Sequence, residues 1–219
     1  MLRRTLVKMT AALVMAGSMS FAQAYTAGEH YLVLEQPYPA ATGTLAKIWT
    51  IGCPFCYQYA KLVDPVLDRE VEKKTGLRLV PQLLETPGEV NRAAAEFMTY
   101  CRQLDEKAGR SLTEEKSLYH QAEMAFFSGY HDRGERWQDT DALLNVGYAA
   151  TGIKPADFEA ARKTSELQEA TDSQRWAYES ATRYGVPAYV VNGRYLVMAN
   201  KLRGYDDMVK AIEELARAK

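Results

Sequence analysis

The chain has 219 residues, 47% hydrophobic and 25% charged, with 27 Lys and Arg against 28 Asp and Glu and only three Cys. So even a balance gives no cationic excess of the kind nucleic acid selects, and three cysteines are too few for a disulfide-stapled scaffold. The length suits one good core, or a core domain carrying an inserted subdomain.

Residues 1–24 read as an export signal: Arg3, Arg4 and Lys8 precede an apolar stretch over 9–21, followed by Ala22-Gln23-Ala24 as a small-x-small cleavage site. The apolar run falls short of the roughly 20 residues that span a bilayer. Cleavage predicts an exported mature chain starting at Tyr25. It removes three cations and no anions, leaving 24 Lys and Arg against 28 Asp and Glu.

Residues 30–35 alternate apolar and polar before Pro37 and Pro39, which predicts an edge strand and a turn. Residues 45–51 are nearly continuously apolar, as in a strand covered on both faces. Lys47 is the exception, read either as a charge at a strand end reaching back to water or as a cation acting on chemistry nearby.

That chemistry is Cys53-Pro54-Phe55-Cys56, set between the predicted strand and an amphipathic run. A Cys-x-x-Cys pair after a strand and opening a helix is a redox arrangement. The first N–H groups of a helix lack partners and carry partial positive charge, so a thiol there ionises more easily. Cys53 is therefore predicted to be the acidic, exposed sulfur, with Cys56 covered by its own helix. Pro54 suits the first helical position. A zinc site would need more ligands than Cys101 and the scattered His30, His120 and His131 offer. A purely structural disulfide across so short a loop would gain little entropy.

Apolar residues recur at helical spacing from Phe55 to Val71, with Pro65 predicted to kink the helix and Gly76 to end it. Residues 77–84 read as another buried strand, making the unit around the cysteines a βαβ crossover. After Pro87-Gly88 the pattern becomes helical for about a hundred residues, read as four or five segments. One carries Val90, Phe97 and Cys101 on an apolar face, making Cys101 an inert core thiol. Others run over 113–127 with a Thr113 cap, over 141–151 before Gly152, from Pro155, and through Trp176 to a stop at Gly185. Tyr119, Phe126, Phe127 and Tyr130 read as helical core, and the histidines suggest neither a base nor a ligand set. Strand character returns over 186–191 and 194–198 around Asn192-Gly193, a strong hairpin signal. A helix over 205–218 closes the chain, and the whole is a mixed α/β architecture.

A strand, Cys53-Pro54-Phe55-Cys56, a helical insertion, then Gly185-Val186-Pro187-Ala188 leading into the Asn192-Gly193 hairpin resembles the DsbA family of periplasmic thiol:disulfide oxidoreductases. Cys-Pro-Phe-Cys and the exported precursor are most similar to its DsbL branch. The resemblance implies a thioredoxin fold with an inserted all-helical domain: 25–87 and 185–219 as the thioredoxin-like part, 88–184 as the insertion. It further implies Cys53 and Cys56 as the redox-active disulfide, with Cys53 attacked and Cys56 buried, and a cis Val186-Pro187 facing them. Pro54, Phe55 and Lys47 are the supporting residues.

By the same resemblance the partners are exported proteins with free cysteines and a membrane DsbB/DsbI-type quinone-linked reoxidant, with aryl-sulfate sulfotransferase a possible specialised client. No flavin, haem or metal is implied. Two departures stand out. Phe55 replaces the usual His between the cysteines, and Lys47 replaces an acidic residue six positions before the first. The competing functions are a thiol-independent peptide-binding chaperone and a disulfide reductase or isomerase.

Overall fold

The computed structural model describes residues 25–218, so the signal segment lies outside the described residues. Five strands form one sheet: β1 (Tyr31–Val33), β2 (Thr44–Trp49), β3 (Arg78–Leu83), β4 (Ala188–Val191) and β5 (Tyr195–Val197), in the order β1-β5-β4-β2-β3. β2 and β3 run parallel and the other neighbours antiparallel. β4 and β5 are joined through Asn192 and Gly193, both at positive φ, as a tight hairpin demands. An added Cβ on Gly193 would meet the Tyr38 carbonyl oxygen at 2.2 Å, so this position admits only glycine.

Between β2 and β3 lie α1 (Pro54–Leu62) and α2 (Asp64–Thr75). The sequence suggests one kinked helix; the structure has two, broken at Val63. Pro65 has no N–H to give the preceding turn and its ring crowds that turn's carbonyl. The break splits the apolar stripe: Leu67 and Val71 are buried, whereas Leu62 and Val66 face solvent. Gly76 ends α2 in the left-handed conformation.

Six helices separate β3 from β4, more than the four or five the periodicity suggests: α3 (Glu89–Lys107), α4 (Leu118–His131), α5 (Thr140–Thr151), α6 (Pro155–Arg162), α7 (Ser165–Asp172) and α8 (Trp176–Tyr184). Thr164 caps α7 and interrupts the long pattern after Pro155. α4 starts five residues later than read, capped by Ser117. Thr113 caps no helix: it lies in the turns before α4, and its hydroxyl donates to Asp68 at 2.7 Å. Fully buried Asp105 gathers the true start, accepting from Ser117 Oγ at 2.7 Å and from the backbone N–H groups of Leu118 and Tyr119 at 3.0 and 2.8 Å.

Strand alternation sorts the core. Ala46 and Ile48 of β2 face Ala177 and Ala181 of α8. Leu45, on the opposite face, packs with α2 and with α9 (Tyr205–Arg217), which closes the chain. Trp49, farther along that face, joins Cys56 and Tyr57 to Phe97, Phe126 and Phe127. The aromatic core of the helical segment is thus continuous with the underside of the cysteine pair.

Candidate active site

β2 delivers the chain to a turn at Thr50, Ile51 and Gly52, closed by Cys53 N–H donating to the Thr50 carbonyl at 3.2 Å. Cys53 is the N-cap of α1 in extended conformation, and Pro54 takes the first helical position. The Cys56 N–H donates to Cys53 Sγ at 3.0 Å, so the first sulfur sits where the helix presents unpaired N–H groups. Cys53 and Cys56 form a disulfide, with their Cα atoms 5.2 Å apart. Cys53 retains 8% exposure and Cys56 none, while Phe55 projects with 68% of its surface free. The Val186–Pro187 bond is cis, and the Val186 carbonyl oxygen lies 3.4 Å from Cys53 Sγ. The structure thus brings together the cysteines and the Val186–Pro187 loop from distant parts of the chain.

Lys47 is neither at a strand end nor in water. It is fully buried in mid-strand, its ammonium bound to Asp64 at the start of α2 and to Glu123 of α4. Its hydrogen-bond partners among the described residues are these two carboxylates, not a sulfur. Tyr189 donates to the second Asp64 oxygen at 2.6 Å, and His120 Nδ1 stands 3.8 Å from Glu123. Burial alone would strip the proton from Lys47, but the adjoining Asp64 and Glu123 reverse this and raise its pKa. Asp64 is pushed up by burial despite the ammonium, whereas at Glu123 the ammonium and His120 prevail over burial and hold it low.

Sequence reasoning missed these partners and the role of the end of α4. Tyr130, His131 and Asp132 each meet a different residue around the motif. A Cβ on Gly52 would sit 3.4 Å from the Tyr130 hydroxyl oxygen. His131 Nε2 is 2.9 Å from the Ile51 carbonyl oxygen, and Tyr57 donates to Asp132 at 2.6 Å. Tyr57 stacks on Phe127 and His131, with ring centroids 5.2 and 5.6 Å away, and Lys61 Nζ lies 4.5 Å over its ring. Cys101 is fully buried in the aromatic core, where burial raises its thiol pKa well above the ordinary range.

Cys53 is nearly covered, not exposed as the sequence suggests, because the Val186–Pro187 loop packs over it; a slightly exposed sulfur thus lies over a fully buried leaving sulfur, next to the Val186 carbonyl just before β4. This arrangement suits exchange between a cysteine pair and another thiol. Residues 50–213 match the family described as DSBA-like thioredoxin domain. The chain is 42% identical over 214 residues to the thiol:disulfide interchange protein DsbL of Lelliottia amnigena, covering 96% of this chain and 94% of that protein. It is 40% identical over 211 residues to DsbL of Escherichia coli O6:H1, covering 94% of each. The crystal structure of DsbL from Salmonella enterica serovar Typhimurium superposes with a TM-score of 0.82 at 40% identity, covering 90% of this chain and all of that one. The chain belongs to the DsbA-like thioredoxin family and is a thiol:disulfide interchange oxidoreductase.

Proposed function

We propose that the protein works in the oxidising direction, introducing disulfides into exported proteins in the periplasm. The observation that carries this is the placement of Cys53 Sγ at the N-terminus of α1, 3.0 Å from the Cys56 N–H. That position stabilises a thiolate, and a stabilised Cys53 thiolate favours the dithiol enzyme and hence an oxidising disulfide.

In the proposed cycle a client thiolate attacks Cys53 Sγ, forming a mixed disulfide and expelling Cys56 as thiolate. The client's second thiolate attacks its own sulfur in that mixed disulfide and expels Cys53. Two electrons pass from the client's thiols to the enzyme, which ends as a dithiol. The Val186 backbone, beside Cys53, pairs with an extended client segment, and Pro187 and Pro54 fix the loop and helix start around the sulfurs. A membrane DsbB/DsbI-type quinone-linked protein would take the electrons on.

Similarity to DsbL supports aryl-sulfate sulfotransferase as a specialised client. Residues 25–87 and 185–219 act as the thioredoxin-like domain and 88–184 as the helical insertion, with residues 1–24 removed on export. Lys47 supports the site through its charge cluster.

Trapping tests the cycle. Cys56→Ser should accumulate mixed disulfides with periplasmic clients and Cys53→Ser should not. Equal trapping by both would overturn the assigned roles.

A further inference from the structure

We propose that His131, contributed by the far end of α4, is a positioning residue for the exchange reaction, its Nε2–H held on the Ile51 carbonyl so that this oxygen, in the turn that leads into Cys53, is paired when the Cys53 thiolate forms. A carbonyl oxygen only accepts, so the 2.9 Å contact places the proton on Nε2. Ile51 lies two residues before Cys53, in a turn closed by the Cys53 N–H on the Thr50 carbonyl.

The contact is built. His131 is stacked nearly parallel to Tyr57, at 17°, and meets Phe127 and Tyr130 on its other sides, with centroids 6.1 and 5.0 Å away. Its neighbour Asp132 holds the Tyr57 hydroxyl, and Tyr130 bounds Gly52. Three consecutive residues of one helix end therefore grip the turn before Cys53 and the helix after Cys56.

An unpaired peptide oxygen beside a forming thiolate opposes it, and one paired with an N–H opposes it less. The proposal rests on Cys53 being the exchanging sulfur.

The test combines two substitutions, each with and without Cys56→Ser, so that the ultraviolet thiolate signal reports Cys53 alone. His131→Phe keeps the stack and loses the donor; His131→Gln loses the ring and keeps an N–H. The Phe variant should raise the Cys53 titration midpoint by about half a unit to one unit, a three- to tenfold loss of thiolate at fixed pH. Its glutathione equilibrium should become less oxidising by the same factor. The Gln variant should stay within about twofold of the parent. An unchanged midpoint in the folded Phe variant, or equal shifts in both, would mark His131 as packing and overturn the proposal.

A measurement on the unsubstituted protein decides the matter even if the Phe variant does not fold. Coupling is reciprocal, so the His131 Nε2–H on the Ile51 carbonyl should gain protection from solvent exchange when the disulfide is reduced. Identical protection in the two redox states would overturn the proposal. If Cys53 were not the acidic sulfur, the Cys56→Ser parent would itself lack a low-midpoint thiolate, which separates failure of the proposed cycle from failure at His131.

Discussion

Lys47 and Tyr189 are direct cross-strand neighbours on β2 and β4, and both donate to the same carboxylate, Asp64, at the break between α1 and α2. Glu123 of α4 completes the cluster from the helical side, so one buried ammonium ties sheet, crossover helix and helical insertion together. Removing one partner of a buried ion pair strands the other charge, at about 3–5 kcal/mol. Lys47→Met should therefore lower the unfolding free energy by about that much in urea titrations at pH 7. It also leaves two anions without their cation, so in the Cys56→Ser background Lys47→Met should raise the Cys53 midpoint and Lys47→Glu should raise it further. An unchanged midpoint in both would confine Lys47 to stability.

The same cluster fixes the pH window. Lys47 is raised above its ordinary 10.5, so its contribution is fully present below that pH and is lost as pH rises through the folded-state value. Glu123 is held below its ordinary 4.5, so its contribution is present above that pH and is lost as pH falls through the folded-state value. Asp64, raised above its ordinary 3.8 by burial, works against Glu123 in acid, so the cluster's signature in the unsubstituted protein is a fall in stability at the alkaline limit. Lys47→Met should lack the alkaline fall attributable to this lysine, and an alkaline limb identical to the parent's would contradict the assignment.

Phe55 lies between the cysteines with most of its surface in water, so replacing it changes little packing. Phe55→His should alter stability by no more than about 0.5 kcal/mol. Protonated, the imidazole adds a cation next to the Cys53 thiolate. Glutathione equilibria should thus become more oxidising at pH 6 and approach the parent's at pH 8, because imidazoles lose their charge across that range. A shift of equal size at both values would assign the effect to shape and not charge.

Cys101 should take no part in exchange. It is fully buried and its thiol is kept protonated by burial, with Asp105 adding to the effect. Iodoacetamide applied to the reduced, folded protein should modify Cys53 and leave Cys101 untouched, as peptide mass mapping can read. Cys101→Ala should preserve the glutathione equilibrium and cost about 1 kcal/mol of stability through lost packing.

The pattern of legibility has physical causes. The sheet is readable because β2 and β3 are buried on both faces and therefore mostly apolar, Lys47 and Gln82 apart, and because Asn192 and Gly193 supply the positive φ a hairpin needs. The cysteine pair was readable because its chemistry depends on a local feature, the start of a helix. Asp64, Glu123 and His131 were not readable as site residues. Glu123 and His131 are 70 and 78 positions after Cys53 and only packing of α4 against the crossover joins them to it, while Asp64, 11 positions after, is on the crossover but shows its role only through Lys47 and Tyr189. Helix starts fail similarly: Thr113 looks like a cap, but the start of α4 is fixed by Ser117 together with Asp105 from another helix.

That long-range capping leads to a test of how the helical segment reaches the site. Asp105 is fully buried, yet it accepts from Ser117 Oγ, from two N–H groups at the start of α4, and from Arg110 Nε at 2.7 Å. Asp105→Ala would leave these donors without their acceptor, and each buried unpaired group costs about 1–3 kcal/mol. Solvent and relaxation offset part of the sum, so the net loss should be about 3–5 kcal/mol, as for a broken buried charge pair. Asp105→Asn keeps an oxygen for one or two donors and should cost less. Because α4 carries Glu123 near its middle and His131 at its far end, fraying should spread toward the cysteines. Hydrogen exchange would then show lost protection first at residues 118–122, with residues 128–131 following at lower denaturant than in the parent. Protection lost only at residues 118–122 in folded Asp105→Asn would show that the two ends of α4 are held independently, and that the grip on Ile51 and Tyr57 does not depend on this cap.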